Sequence, residues 1–296
     1  MFLENLPYDI IYELYCYVGR SGMQTLSLTS VSSALRIHEN RLICHAIRRI
    51  RTVVYVEGGL DLPQYFWKTV SACPNLESLD LEDVYNGPSS LKTFLSTHND
   101  AKLNSLRCLW IPDPDWIGIV LCCPDLVELK VKRLRNKDQY HDCSSLFQAL
   151  AQLPNLRIFY WWAPLSATAV GDISSYSPHL EELGIVGPFT QDTFSDAIPC
   201  LKAFKNLTYL AIPHPVDWNM EDWLPDSSDD DAYPFWLHAS IQRLIWQVLS
   251  LIENELLVPD GPPLRELRIT TNAGYEQYLP GNDGHLVKVL RPLSPA

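Results

Sequence analysis

A short hydrophobic pattern recurs along most of the chain, with Leu at its first and fourth positions and an aliphatic residue at its sixth. Such a segment suits a short strand, because alternate residues of a strand share one face. LPNLRIFYW from Leu153 is a looser seventh copy, and Ile241, Leu244 and Trp246 make an eighth. The six clear copies are CPNLESLDL, LNSLRCLWI, CPDLVELKV, SPHLEELGI, FKNLTYLAI and GPPLRELRI, which start at Cys73, Leu103, Cys123, Ser177, Phe204 and Gly261.

The copies follow one another at about 27 residues on average, inside the roughly 20 to 29-residue period of leucine-rich repeats. Pro often lies two residues before the first Leu. The array therefore resembles leucine-rich repeats, a family in which each copy forms a strand and the residues between copies return as a helix or an irregular turn. The resemblance implies an α/β fold: an irregular solenoid, shaped as a horseshoe or arc, of about eight repeats over residues 51–296.

Residues 1–50 carry a different, helical spacing of apolar residues. Pro7 suits a first helical position, and further apolar sets at 26–35 and 42–50 predict two more helices. LPYDIIYELYCYV followed by LSLTSVS resembles an F-box, a module that packs against a Skp-family adaptor of a cullin-RING ubiquitin ligase. The alternative is that the three helices only cap the repeat array. By position, the resemblance implies adaptor contacts at Leu6, Pro7, Ile10, Ile11, Leu14, Leu28 and Val31.

The residues between the Leu positions of each predicted strand should face the concave surface of the solenoid, where repeat proteins bind partners. On neighbouring repeats they include aromatic and basic residues, which often carry the binding energy of protein interfaces. A register shift of one residue would turn the same side chains into the core. The predicted target-binding patch consists of Trp110, Lys130, Lys132, Arg133, Tyr160 and Trp162.

The chain has 35 acidic and 23 basic residues, and its formal net charge of -12 disfavours a nucleic acid or an anionic membrane as a partner. Much of the charge lies in an acidic segment at 221–231 around Ser227 and Ser228, which we expect to be a solvated loop. The alternative to a plain solvated loop is that these serines are phosphorylated or that the segment docks a basic partner. Without a signal peptide or a long apolar run, we expect a cytoplasmic or nuclear protein.

Motifs for catalysis are absent from the sequence. It contains no nucleophile elbow, phosphate loop, dinucleotide fingerprint or His-Glu-x-x-His motif. The eight cysteines form no Cys-x-x-Cys pair, and His141 and Cys143 lack a second ligand pair, so we expect neither disulfides nor a metal site. The prediction is a protein without enzymatic activity or cofactor. A reactive-serine α/β hydrolase is the weakest alternative.

The two resemblances together predict the substrate-recognition subunit of an SCF-type cullin-RING ubiquitin ligase, with an F-box module at 1–50 and a repeat array at 51–296. The competing prediction is a freestanding leucine-rich-repeat interaction or inhibitor protein with a helical amino-terminal cap. The last residues begin like a further repeat at Leu286 and stop without an evident cap.

Overall fold

The fold was derived from a computed structural model and is mixed α/β. By its internal contacts the chain divides into two compact units, Met1–Leu156 and Arg157–Ala296. The structure describes residues 25–28, 41–54, 62–83, 102–131, 143–161, 166–185, 187, 191–213, 235–271, 274–281 and 283–289.

The first unit contains five described strands, each paired in parallel with the next along the chain. The strands are β1 (Thr25–Leu28), β2 (Arg49–Val54), β3 (Ser78–Asp83), β4 (Cys108–Ile111) and β5 (Glu128–Val131). The helices are α1 (Arg41–Ala46), α2 (Leu62–Ser71), a 3-10 turn at Pro114–Trp116, α3 (Ile117–Val120) and α4 (Ser144–Leu150). Helices are described in the crossovers from β1 to β2, from β2 to β3 and from β4 to β5, since parallel pairing requires a long return.

The second unit continues the same alternation and then changes direction. Its first four strands pair in parallel in chain order, and the last two add antiparallel neighbours. The strands are β6 (Ile158–Trp161), β7 (Glu182–Ile185), β8 (Tyr209–Pro213), β9 (Glu266–Thr271), β10 (Gly274–Pro280) and β11 (Leu286–Val289). The helices are α5 (Ala167–Tyr176), α6 (Gln191–Leu201) and α7 (Phe235–Glu255).

The same tight turn precedes several of the strands. The N–H of Leu76 donates to the carbonyl of Cys73 at 3.2 Å, and Leu126 donates to Cys123 at 3.2 Å. Each turn has Pro at its second position, where the fixed φ of Pro suits a β-turn. Leu156 and Leu180 close equivalent turns. In these four copies the Pro therefore lies in the turn that leads into the strand.

Each copy buries its three pattern residues between the strand layer and the returning helices. Leu76, Leu79 and Leu81 are all at most 1% exposed, and the equivalent residues of the other strand copies are also buried. The alignment is enforced by strand register, which pairs Leu79 with Leu109 and Leu109 with Leu129. A single copy could not bury this face alone, so the hydrophobic effect couples each strand to its neighbours.

The six clear copies and the looser seventh were confirmed as strands β3 to β9. The eighth was wrong, because Ile241, Leu244 and Trp246 lie in the 21-residue helix α7. The spacing there is helical, because the buried residues Ile245, Val248, Leu249, Ile252 and Leu256 lie at positions i, i+3, i+4, i+7 and i+11, which share one helix face.

The predicted second and third helices of the amino-terminal module were wrong in part. Thr25–Leu28 is strand β1, and the third helix ends at Ala46 before Arg49 begins β2. Leu26 pairs with Ile50, which is buried and pairs in turn with Leu79. Both strands therefore join the parallel series. The boundary predicted after residue 50 falls inside β2, and the first predicted helix lies outside the described residues.

The carboxyl end does not begin another parallel repeat. Leu286 starts β11, which runs antiparallel to β10 with Leu286 opposite Pro280. Glu253 of α7 holds this strand in place, because its carboxylate accepts the Leu286 N–H at 2.6 Å and contacts His285 Nδ1 at 3.2 Å. An antiparallel hairpin thus follows the last parallel strand.

Candidate functional site

In each unit, the strand residues between the buried positions share the opposite face of the strands. Positions in a copy are counted from its first pattern Leu, which is Leu76 in the copy CPNLESLDL. In the first unit, strand register places the fifth residues of successive copies in one row, with Asp80 beside Trp110 and Trp110 beside Lys130. Arg51 of β2 extends the row and lies 3.5 Å from Asp80. The fifth positions are therefore neighbours, as the sequence predicted.

Trp110, Lys130 and Glu128 form the first group on this face, which we call the Trp110 cluster. Lys130 Nζ lies 4.5 Å from the centre of the Trp110 ring and 2.7 Å from Glu128 Oε1. Trp110 Nε1 donates a hydrogen bond to the same oxygen at 3.1 Å. The cation, the ring and the carboxylate hold one another in place, so Trp110 presents a fixed aromatic surface.

The second unit has an equivalent row of fifth residues, with two small residues at its centre. Tyr160 pairs with Gly184, Gly184 with Ala211, and Ala211 with Arg268. The Tyr160 ring covers Gly184 so closely that a Cβ on Gly184 would lie 2.1 Å from Tyr160 Cδ1. Glycine is required there by space, since its φ is not positive.

Arg268 reaches the same region from the other side of the row. Its Nε donates to Glu266 Oε1 at 2.5 Å, and its Nη1 donates to Glu182 Oε1 at 3.5 Å. The Tyr160 hydroxyl also donates to Glu182 Oε1. The guanidinium lies 5.4 Å from the ring centres of both Tyr209 and Tyr275. We call this group the Arg268 cluster: Tyr160, Glu182, Tyr209, Glu266, Arg268 and Tyr275.

The cluster fixes the protonation states of its donors. Burial raises the pKa of the Tyr160 hydroxyl, and the hydrogen bond to Glu182 raises it further, so Tyr160 stays a neutral donor. Burial opposes the charge on Arg268, but the carboxylates of Glu266 and Glu182 outweigh it and raise the pKa of Arg268 overall. Both groups therefore keep their protons at any physiological pH.

The side chains of the Trp110 cluster and the Arg268 cluster are of the kinds that bind other molecules. Among the described residues, no group of three or more His, Cys, Asp and Glu side chains could hold a metal ion. No disulfide joins any of the seven cysteines in the described ranges. Both clusters combine aromatic rings with paired charges on rigid strands, an arrangement suited to recognising another surface.

The structure describes three residues of the predicted target-binding patch. Trp110 and Lys130 lie together in the first unit, whereas Tyr160 belongs to the Arg268 cluster of the second unit. Lys132, Arg133 and Trp162 lie outside the described residues, as does the acidic segment at 221–231. Of the predicted adaptor contacts, Leu28 lies in β1, and Leu6, Pro7, Ile10, Ile11, Leu14 and Val31 lie outside the described residues.

Sequence reasoning missed the third position of each copy, which lies on the same face as the fifth. Glu128 in the first unit, and Glu182, Tyr209 and Glu266 in the second, occupy this position and contact the fifth-position residues. The signal was present, because residues two apart on a strand point to the same side.

Comparison with known proteins assigns no family to the chain. No protein-family model matches it, and no curated protein matches its sequence. In the part of the chain that the structure describes, no helix is long and apolar enough to cross a membrane.

Proposed function

We propose that this chain is a protein-recognition scaffold of the leucine-rich-repeat type, and that it serves as the substrate-recognition subunit of a cullin-RING ubiquitin ligase. The row of outward side chains on successive parallel strands, from Asp80 through Trp110 to Lys130, is the observation that carries the recognition role. The chain would hold a target protein in the cytoplasm or nucleus, and ubiquitin transfer would take place on other subunits, accelerated by proximity.

The arrangement of the strands supports the repeat proposal. A sheet whose parallel strands follow chain order, several of them preceded by the same Pro-containing turn, is what stacking of one repeated unit produces. In such a solenoid the strand layer carries the partner-binding surface. Aromatic side chains fixed by neighbouring charges, as in the Trp110 cluster, lose little freedom on binding.

The ligase half of the proposal rests on the resemblance of the amino-terminal sequence to an F-box. Its strongest portion, LPYDIIYELYCYV, precedes the described residues. In an F-box protein, Leu6 and Pro7 would contact the Skp-family adaptor directly, so their truncation would weaken that contact without affecting the strands.

One observation favours the competing function, a freestanding repeat protein. β1 pairs in parallel with β2 and carries LSL of the LSLTSVS segment, so this part of the resemblance falls on a strand in the repeat series. An F-box needs Leu28 on a helix at the adaptor interface, and a strand places it in the sheet. The two functions therefore make opposite predictions for adaptor binding.

Co-expression of the chain with a Skp-family adaptor separates the two functions. The ligase proposal predicts a stable complex that is lost with Leu6→Ala and Pro7→Ala together. The matched control is Leu279→Ala with Pro259→Ala, which truncates an exposed Leu and an exposed Pro in the second unit and should keep the complex. No complex with the unmodified chain, or a complex that survives both pairs of changes, would favour the freestanding protein.

Target capture is tested by affinity purification and mass spectrometry. Trp110→Ala with Tyr160→Ala should deplete a specific co-purified protein. Trp246→Ala removes a tryptophan that is 70% exposed on α7 and should leave capture unchanged. Equal capture by all three folded proteins would place the recognition surface elsewhere.

A further inference from the structure

The Arg268 cluster has acceptor capacity that its own residues do not use. Arg268 and the Tyr160 hydroxyl both donate to Oε1 of Glu182, and Arg268 donates to Oε1 of Glu266. Oε2 of each carboxylate accepts no hydrogen bond from any described residue. The Glu182 side chain is 17% exposed and that of Glu266 is 11% exposed.

The net charge of the Arg268 cluster favours the binding of a further cation. Two carboxylates surround one guanidinium, so the cluster carries a net negative charge. Both carboxylates are largely shielded from water, where a further ion pair gains more than it would at an open surface. The whole chain is acidic as well, with a net charge of -12.

The surrounding side chains suit the flat, delocalised head of an arginine or the stem of a lysine. Tyr209 and Tyr275 already flank one guanidinium at 5.4 Å, and Tyr275 remains 41% exposed. The Tyr160 ring lies over Gly184 in the middle of the row and adds a third aromatic ring beside Glu182. Aromatic rings and carboxylates together are the groups that bind cationic side chains.

We propose that the Arg268 cluster binds a basic segment of a partner protein, with an arginine or lysine side chain donating to Oε2 of Glu182 and Glu266. This inference rests on the proposed recognition function and names the chemistry of its partner. An acidic segment fits less well, because the donors of Arg268 are directed at the two carboxylates.

The test uses fluorescently labelled hexa-arginine and hexa-glutamate peptides, with blocked ends, in 50 mM NaCl. Binding to the full chain is followed by fluorescence anisotropy. All proteins carry the same three changes in the acidic segment 221–231, so that binding there is weakened equally in every arm. These changes are Asp229→Asn, Asp230→Asn and Asp231→Asn.

Glu182→Gln with Glu266→Gln should weaken hexa-arginine binding at least fivefold. Asp192→Asn with Asp196→Asn is the matched control, because it removes two exposed carboxylates of α6 in the same unit and changes the net charge equally. It should change binding less than twofold. Tyr275→Ala keeps both carboxylates and should weaken hexa-arginine binding at least threefold. This variant replaces the double Gln variant in the test if the latter unfolds.

Equal weakening by the site and control pairs would overturn the proposal, since binding would then follow net charge alone. Tighter binding of hexa-glutamate than of hexa-arginine would also overturn it. Neither result affects the adaptor and target-capture tests, so the recognition function would stand if only its basic partner were refuted.

Discussion

Gly184→Ala should disturb the second unit more than its size suggests. The added Cβ would lie 2.1 Å from Cδ1 and 2.3 Å from Cε1 of Tyr160. Carbon atoms normally approach no closer than about 3.5 Å, so the Tyr160 ring has to move by more than about 1 Å to make room for the added Cβ. The movement takes the Tyr160 hydroxyl away from Glu182 and uncovers the backbone beneath the ring.

Two effects set the size of the loss. Overpacking costs about 1 to 3 kcal/mol, and a lost hydrogen bond to a charged acceptor costs about 1.5 to 3 kcal/mol. Both arise from one ring movement, and Ala in place of Gly recovers about 0.5 to 1 kcal/mol because the unfolded chain is less free. We therefore expect the free energy of unfolding to fall by about 2 to 4 kcal/mol.

Urea unfolding followed by tryptophan fluorescence measures this change. The mechanism requires that Gly184→Ala cost less than about 0.5 kcal/mol when Tyr160→Ala is already present, because the clash is gone. Gly171→Ala in α5 is the matched control: its Cβ would meet only Cys200 Sγ at 3.4 Å. A tolerated Gly184→Ala in the otherwise unmodified protein would refute the packing of Tyr160 on Gly184.

Three further predictions concern stability. Leu183→Ala should lower the free energy of unfolding by about 2 to 5 kcal/mol, because Leu183 is fully buried; a loss below 1 kcal/mol in urea unfolding would contradict its place in the core. Lys130→Ala should cost at most about 1 kcal/mol, since its contacts with Glu128 are partly exposed, and should mainly free the Trp110 ring, detectable as altered fluorescence. The hydrogen bond to Glu253 raises the pKa of His285, so this contact stabilises the fold fully below pH 6.5, the ordinary value, and its contribution is lost as the pH rises through the raised pKa. Thermal unfolding should therefore separate His285→Gln from the unmodified chain more at pH 5.5 than at pH 8.5, and an equal separation would show that the pair does not titrate.

The strands were predictable because the same local sequence pattern recurs in several copies along the chain. Leu at the first and fourth positions buries one face, and Pro pre-forms the turn that precedes the strand. The eighth copy satisfied the strand pattern as well, yet α7 is a helix because its apolar residues continue at helical spacing as far as Leu256. A six-residue window cannot separate these two periods, whereas a 20-residue window can.

Strands β1 and β2 were missed for a related reason. Ile47 and Ile50 fit the first and fourth positions of the repeat, but the apolar residues from Leu42 to Ile50 also have helical spacing, which predicts one helix over the whole set. Only pairing with β3 shows that Ile50 belongs to the sheet, in register with Leu79. A partner strand supplies backbone hydrogen bonds that no local pattern can show.

The candidate binding faces show most clearly where local information ends. The sequence by itself determined which residues alternate outward, because strand geometry makes Trp110, Lys130, Tyr160 and Arg268 equivalent positions. Only the tertiary structure decided which of them meet: register brings Lys130 to Trp110, and two small residues let Tyr160 and Arg268 converge on Glu182. Contacts between side chains depend on the length and direction of neighbouring strands' residues, and these are set by the fold as a whole.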